Sequence, residues 1–250
     1  MLRNTFIHLA GVGETTERKL WERGWHTWQE LLDAPHDALP ARLRGRAPRT
    51  LLEESLSRYA ACEWCYFERC LPSAAKWRAF EPLRDRVMYV DIETDGFENE
   101  ITVIGIYDGR SFRAFVQGEN LDEAREVLEE AAVVVTYNGT SFDMPIIRAR
   151  FPYNLFNHIH VDLMWPLRRL GFKGGLKRIE RELGLVRSDE TRDMSGWDAV
   201  YLWREYLRGS REARTLLLQY NEEDVRNLEP LMRWVYDTLR ARTGLTLRPA

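Results

Sequence analysis

From about residue 86 apolar and polar positions alternate with a period of two, as they do along β-strands. The runs at 86–93 (RVMYVDIE), 100–108 (EITVIGIYD) and 110–117 (RSFRAFVQ) predict three successive strands. Asp95-Gly96 and Asp108-Gly109 mark the connections, and the second is a two-residue hairpin signal. The stretch 121–131 (LDEAREVLEEA) predicts a helix with acids early in it, and 132–138 (AVVVTYN) a buried strand. Beyond residue 143 the pattern is mostly helical, with one short strand expected in 158–163 (HIHVDL). Strands followed by helix, strand and helix fit an α/β fold, a mixed sheet with helices on its faces.

The N-terminal third has a helical period instead. Residues 5–33 contain Gly-Val-Gly at 11–13, an amphipathic helix through Leu20 and Trp21, a stop at Gly24, and a second helix from about Thr27. A Pro- and Arg-containing link at 34–50 precedes a helix expected over 51–70. The chain therefore divides into a helical region, 1–80, and an α/β domain, 86–240.

Composition narrows the class. An apolar content of 44% and a charged content of 30% describe a globular protein, and no run approaches the ~18 apolar residues of a membrane span. The N-terminus is too polar for a signal peptide, so a cytoplasmic location without membrane contact is the expectation. Net charge is −3, which argues against wholesale attraction to nucleic acid. Residues 1–86 carry a net +2 and the remainder −5. Within that acidic remainder, however, 166–181 (PLRRLGFKGGLKRIER) is a basic run that either follows a phosphate backbone or forms a solvated helix face. Cys62 and Cys65 have metal-site spacing but lack a second ligand pair, so reduced thiols on a helix are expected.

Three separated segments carry candidate chemistry. Alternation along the first strand places Tyr89, Asp91 and Glu93 on one face, and two like charges so close need an offsetting partner. In "TYNGTSFDMPII" a strand ends at Asn138, and Asp143 follows as a helix begins. In "LLLQYNEEDVRNLEPL" Tyr220 and Asp224 are four apart, hence on one helix face with Leu217 and Leu228; Glu222 and Glu223 read as its acidic surface. Singly, each has a bland explanation: a strand end, an N-cap Asp, an acidic helix face. If the faces converge, four carboxylates form an oxygen-only site for a hard cation, Mg²⁺ or Mn²⁺. His158, His160 and Asp162 are read as solvent-side histidines and a supporting acid.

On these motifs the sequence resembles the DnaQ-like, or DEDD, 3′–5′ exonucleases of the ribonuclease H-like fold. "DIET" is similar to their D-x-E motif, and "YNGTSFDMP" to the N-x-x-x-F-D-x-P form of family B DNA polymerase proofreading domains. "YNEED" fits the Y-x-x-x-D form of the Tyr-containing subgroup. The start of the chain resembles a helix-hairpin-helix element, though few residues precede the hairpin; with "GLKRIERELGL" it is similar to a bacterial YprB-like group.

The resemblance implies a metal-dependent 3′–5′ exonuclease with two ions per site. Asp91, Glu93 and Asp224 would ligate one ion, with Asp91 bridging to a second held by Asp143. Tyr220 would orient the attacking water, and Asn138 and Phe142 would shape the pocket around the terminal nucleotide. Lys173, Lys177 and Arg178, with the hairpin glycines Gly11 and Gly13, are the candidate contacts to nucleic acid, DNA slightly ahead of RNA. The competing readings are a non-catalytic nucleic-acid-binding protein and a structure-specific endonuclease on the same fold.

Overall fold

The computed structural model describes residues 1–152 and 156–245. Its centre is a five-stranded mixed sheet in the order β3-β2-β1-β4-β5. Strands β1 (Val87–Thr94), β2 (Ile101–Tyr107) and β3 (Phe112–Val116) form an antiparallel meander. Strands β4 (Val133–Thr136) and β5 (Ile159–Asp162) continue the sheet in parallel on the other side of β1. The β2–β3 hairpin closes tightly: the Asp108 amide donates to the Ser111 carbonyl, leaving Gly109 and Arg110 at the tip.

The period-two pattern is realised as two faces. Met88, Val90 and Ile92 of β1 pack with Ile104, Ile106 and Val134 beneath helices α5 (Ala124–Glu130) and α6 (Asp143–Arg150). Tyr89 points to the opposite face, where Val225, Leu228 and Met232 cover the sheet. Those residues belong to α10 (Arg211–Thr243), a 33-residue helix that packs along β1 and β2. Its apolar stripe at three- and four-residue spacing dictates that placement.

Ahead of the sheet lie α1 (Glu14–Glu22), α2 (Trp28–Leu32), α3 (Arg46–Ala60) and α4 (Trp64–Cys70). The single helix expected over 51–70 is broken between α3 and α4, where Cys62 takes a left-handed conformation (φ 56°). The three cysteines are free thiols. Phe6, Leu20, Trp28, Phe67 and Trp77 join the same apolar cluster as Val133, Val225 and Leu231, so the helical region and one face of the sheet share a core. Between the sheet and α10 come α7 (Met164–Arg169), α8 (Leu176–Glu182) and α9 (Gly196–Leu207). Among the described residues no helix is long and apolar enough to cross a membrane.

Candidate metal centre and nucleic-acid cleft

The C-terminal half of β1 and the middle of α10 converge. A bulge at Glu93/Thr94 ends the regular β1–β2 pairing, a device that re-aims side chains at a strand's end. Ahead of the bulge, strand alternation turns Asp91 and Glu93 toward α10, one turn of which presents Tyr220, Asn221 and Asp224 inward. One carboxylate oxygen from each of Asp91, Glu93 and Asp224 lies within 4.8 Å of the others. A cleft of about 440 Å³ opens beside them, lined also by Thr94, Phe142, Trp197 and Tyr220.

The close approach of α10 to the sheet depends on a glycine. Gly105 pairs with Asp91 across β1–β2, and a Cβ there would fall 1.8 Å from Asn221 Oδ1. Without it, Asn221 Nδ2 reaches Asp91 Oδ2 at 3.0 Å. Gly105 and Asn221 are functional candidates that the one-dimensional pattern did not single out. A Gly inside an otherwise apolar strand was the available signal.

Electrostatics mark this place as unsatisfied. Burial, then the charges of Asp224, Glu93 and Asp143, push the Asp91 carboxyl well above the ordinary range. Glu93 is raised likewise, by burial first and then by Asp224. Burial pushes Asp143 up to about 7 and Asp224 to about 6, the latter against the opposing pull of Arg187. Glu93 Oε1 is buried with no hydrogen-bond partner. An orphaned carboxylate oxygen beside two further carboxylates is what a hard cation would satisfy, so these residues fit a divalent ion.

Asp143 stands next to this group rather than in it. It is the first residue of α6, and its Oδ1 accepts the Ile92 amide at 3.2 Å, tying α6 to β1. Asn138 sits just past β4 in a left-handed conformation (φ 63°), its amide bonded to Asp162 Oδ1 at 2.8 Å. Asp162 also accepts the Thr140 and Met164 amides, a supporting role. The histidines beside it are not on the solvent side. His158 and His160 are buried, because the parallel β4–β5 edge is covered on both faces; burial lowers each to about 3.

The basic run divides. Lys177 Nζ lies 4.3 Å from the centre of the Tyr220 ring and also bonds the Met194 carbonyl. Burial lowers its pKa. Lys173 is exposed, and Arg178 is exposed and paired with Glu182 at 2.8 Å. An unanticipated cation, Arg187, is buried against Glu180 and also pairs with Asp224. Glu222 bonds Arg226 on the surface as expected, whereas Glu223 is half-buried and holds the Ser188–Thr191 turn. In the N-terminal hairpin, Gly11 has φ 75° and its carbonyl accepts Arg42 Nη1; only a three-residue 3₁₀ turn, Leu2–Asn4, precedes it. Gly13 caps α1, whose first turn carries Glu14 and Glu17.

The sheet order, the flanking helices and this acidic cluster define a ribonuclease H-like protein. Residues 88–236 match the RNase_H_2 family of the RNase H superfamily, and the chain belongs to that superfamily. Among solved structures it is similar to the family B DNA polymerase from the hyperthermophilic archaeon Pyrobaculum calidifontis, at 18% identity and a TM-score of 0.47. That likeness covers 60% of this chain and 24% of the polymerase chain, so the protein spans about a quarter of that enzyme's length. No curated protein matches the chain.

Proposed function

We propose that the protein is a metal-dependent 3′–5′ exonuclease of the Tyr-containing DEDD type, close to the YprB-like group, acting on nucleic acid with DNA slightly ahead of RNA. In this reading residues 86–240 are the catalytic domain, and the helical region 1–80 with its Gly11–Gly13 hairpin is an accessory nucleic-acid contact. The observation that carries the reading is the Asp91–Glu93–Asp224 cluster, with Glu93 Oε1 buried and unpartnered.

Bound Mg²⁺ or Mn²⁺ ions would activate a water and stabilise charge on the attacking and leaving oxygens. Asp91, Glu93 and Asp224 would hold one ion and Asp91 with Asp143 the second. Burial, with the charges of Asp224, Glu93 and Asp91, holds the Tyr220 phenol far above its ordinary value. Tyr220 therefore stays protonated and acts as a hydrogen-bonding guide for water rather than as a base. Lys177, beside Tyr220, supplies positive charge next to the carboxylates, and Phe142 lines the terminal-nucleotide pocket. Asn138, which the motif resemblance also assigns to that pocket, is outside the cleft lining and is held by Asp162. The 3′–5′ polarity rests on the motif resemblance.

The test is digestion of 5′-labelled single- and double-stranded DNA and RNA with Mg²⁺ or Mn²⁺, comparing wild type with Asp91→Ala and Asp224→Ala. Metal-dependent shortening from the 3′ end by wild type alone supports the reading. Cleavage of none of the substrates overturns it in favour of a non-catalytic binding protein, and internal cuts point to an endonuclease.

A further inference from the structure

Among the described residues seven large apolar side chains are exposed. Of the five aromatic ones, Trp165 stands apart on α7 beneath Arg168, and the other four lie at or beside the acidic cleft. Trp197 is 68% exposed, Phe97 65%, Tyr201 60% and Phe142 36%. Trp197 and Phe142 both line the acidic cleft, one from the start of α9 and the other from the turn before α6. Phe97, in the β1–β2 connection, meets Trp197 edge to face with ring centres 6.5 Å apart. The guanidinium of Arg204 lies 4.6 Å from the centre of the Phe97 ring. Trp197, Tyr201 and Arg204 follow one another at helical spacings of four and three, so they form one exposed stripe leading away from the cleft.

This surface is held in place from beneath. Gly96 has φ 78°, and a Cβ on it would meet Val200 Cγ2 at 2.8 Å, so the loop carrying Phe97 sits directly on α9. Ser195 donates its amide and its hydroxyl to Asp198 Oδ2, both at 2.7 Å, fixing the first turn of α9 that carries Trp197. Large aromatic faces left in water on a braced helix are costly unless a ligand covers them.

Resting on the nuclease reading, we propose that Trp197, Phe97 and Tyr201 form a stacking platform for the unpaired bases of a single strand whose terminal nucleotide lies in the acidic cleft. Each base offers a π-face whatever its identity, so the platform is sequence-tolerant; Arg204 adds a cation for the backbone or a ring. Bases in a duplex have their faces stacked on one another and cannot use it. Continuity with the carboxylate cleft and the interleaved Arg204 favour nucleic acid over an apolar protein segment as the occupant.

The experiment is fluorescence anisotropy in EDTA, where cleavage plays no part, with a fluorescein-labelled oligo(dT) strand and a blunt duplex as probes. Wild type is expected to bind the single strand at least about tenfold more tightly than the duplex. Trp197→Ala and Tyr201→Ala should each weaken single-strand binding by about tenfold, leave duplex binding unchanged, and melt at the wild-type temperature. Trp197→Phe should restore most of the loss. Equal binding by the alanine variants, or wild type binding the duplex as well as the strand or binding neither, overturns the platform. Because binding is read without metal, an inactive protein whose single-strand affinity still depends on Trp197 would sink the exonuclease reading and leave the platform standing.

Discussion

Two buried charged clusters in this molecule have opposite accounts. In the helical region Glu17 and Arg78 are almost wholly buried and pair at 2.7 Å. The other Glu17 oxygen accepts the Thr5 hydroxyl and the Phe6 amide, each at 2.7 Å, and the Arg78 guanidinium lies near the faces of Trp77 and Trp21. Every oxygen of that carboxylate is answered. At the end of β1, by contrast, carboxylates face carboxylates, Glu93 Oε1 has no donor, and Arg187, the cation that pairs with Asp224, is shared with Glu180. Both clusters are deep in the fold, and burial lifts the acids of both. A buried carboxylate whose oxygens are all answered pins structure; one with an orphaned oxygen among other carboxylates waits for a cation.

Substitutions can break this contrast, beginning with the largest effect. Asp224→Asn is expected to lower metal-dependent cleavage on the order of 10³-fold, read as single-turnover kcat on a labelled strand. No comparable loss is expected from Arg78→Met, which should instead destabilise the fold by about 3–5 kcal/mol in urea melts, since it leaves Glu17 charged and unpaired. Gly105→Ala tests how the two walls meet. Its Cβ displaces Asn221 from Asp91, and a cost of about 1–3 kcal/mol in urea unfolding is expected, with weaker metal binding by calorimetry. The smallest effect has the opposite sign. Asp91→Asn should raise the stability of the EDTA-treated protein by on the order of 1 kcal/mol, because it removes one of the repelling charges, and should abolish stabilisation by Mn²⁺.

The same cluster sets a pH dependence. Without metal, Asp143 and Asp224 are raised to about 7 and about 6, so the folded protein holds protons that the unfolded chain has released. That contribution to stability is present below about pH 4 and is lost as pH rises through 6 to 7. Divalent ions bind the deprotonated carboxylates, so the gain from Mn²⁺ over EDTA should be near zero at pH 5 and largest at pH 8. At about a hundredfold excess over Kd the gain is roughly 2.7 kcal/mol. His158 and His160, lowered to about 3, work in the other direction, withdrawing stability as pH falls below about 6.5. They titrate with and without metal, so the difference between the two melting curves isolates the acids. A metal gain that is flat with pH would break the link between the raised carboxyls and the ion.

Much of this was legible along the chain. Period-two alternation placed Asp91 and Glu93 on the face opposite Val90 and Ile92, and i to i+4 spacing put Tyr220 and Asp224 on the buried stripe of α10. Other features were not legible. Alternation assigned His158 and His160 to water because it reports a shared face without saying what covers that face. Glu223 looked like surface until the 188–191 turn folded over it. The motif placed Asp143 at a helix start, but its contact with the Ile92 amide, across fifty-one positions of sequence, was not readable from it.

The sequence by itself determined which strands and helices form, which of their faces are apolar, and which acids interrupt those faces. These are local properties, set by side-chain period and turn chemistry. Only the tertiary structure decided that three of the acids meet within 4.8 Å, that Gly105 makes room for Asn221, that Arg187 pairs with Asp224, and that Trp197 lines the cleft beside them. Those facts depend on how far α10 sinks onto the sheet and how α9 leans on the β1–β2 loop. Such distances arise from packing between residues remote in sequence, and no local period encodes them.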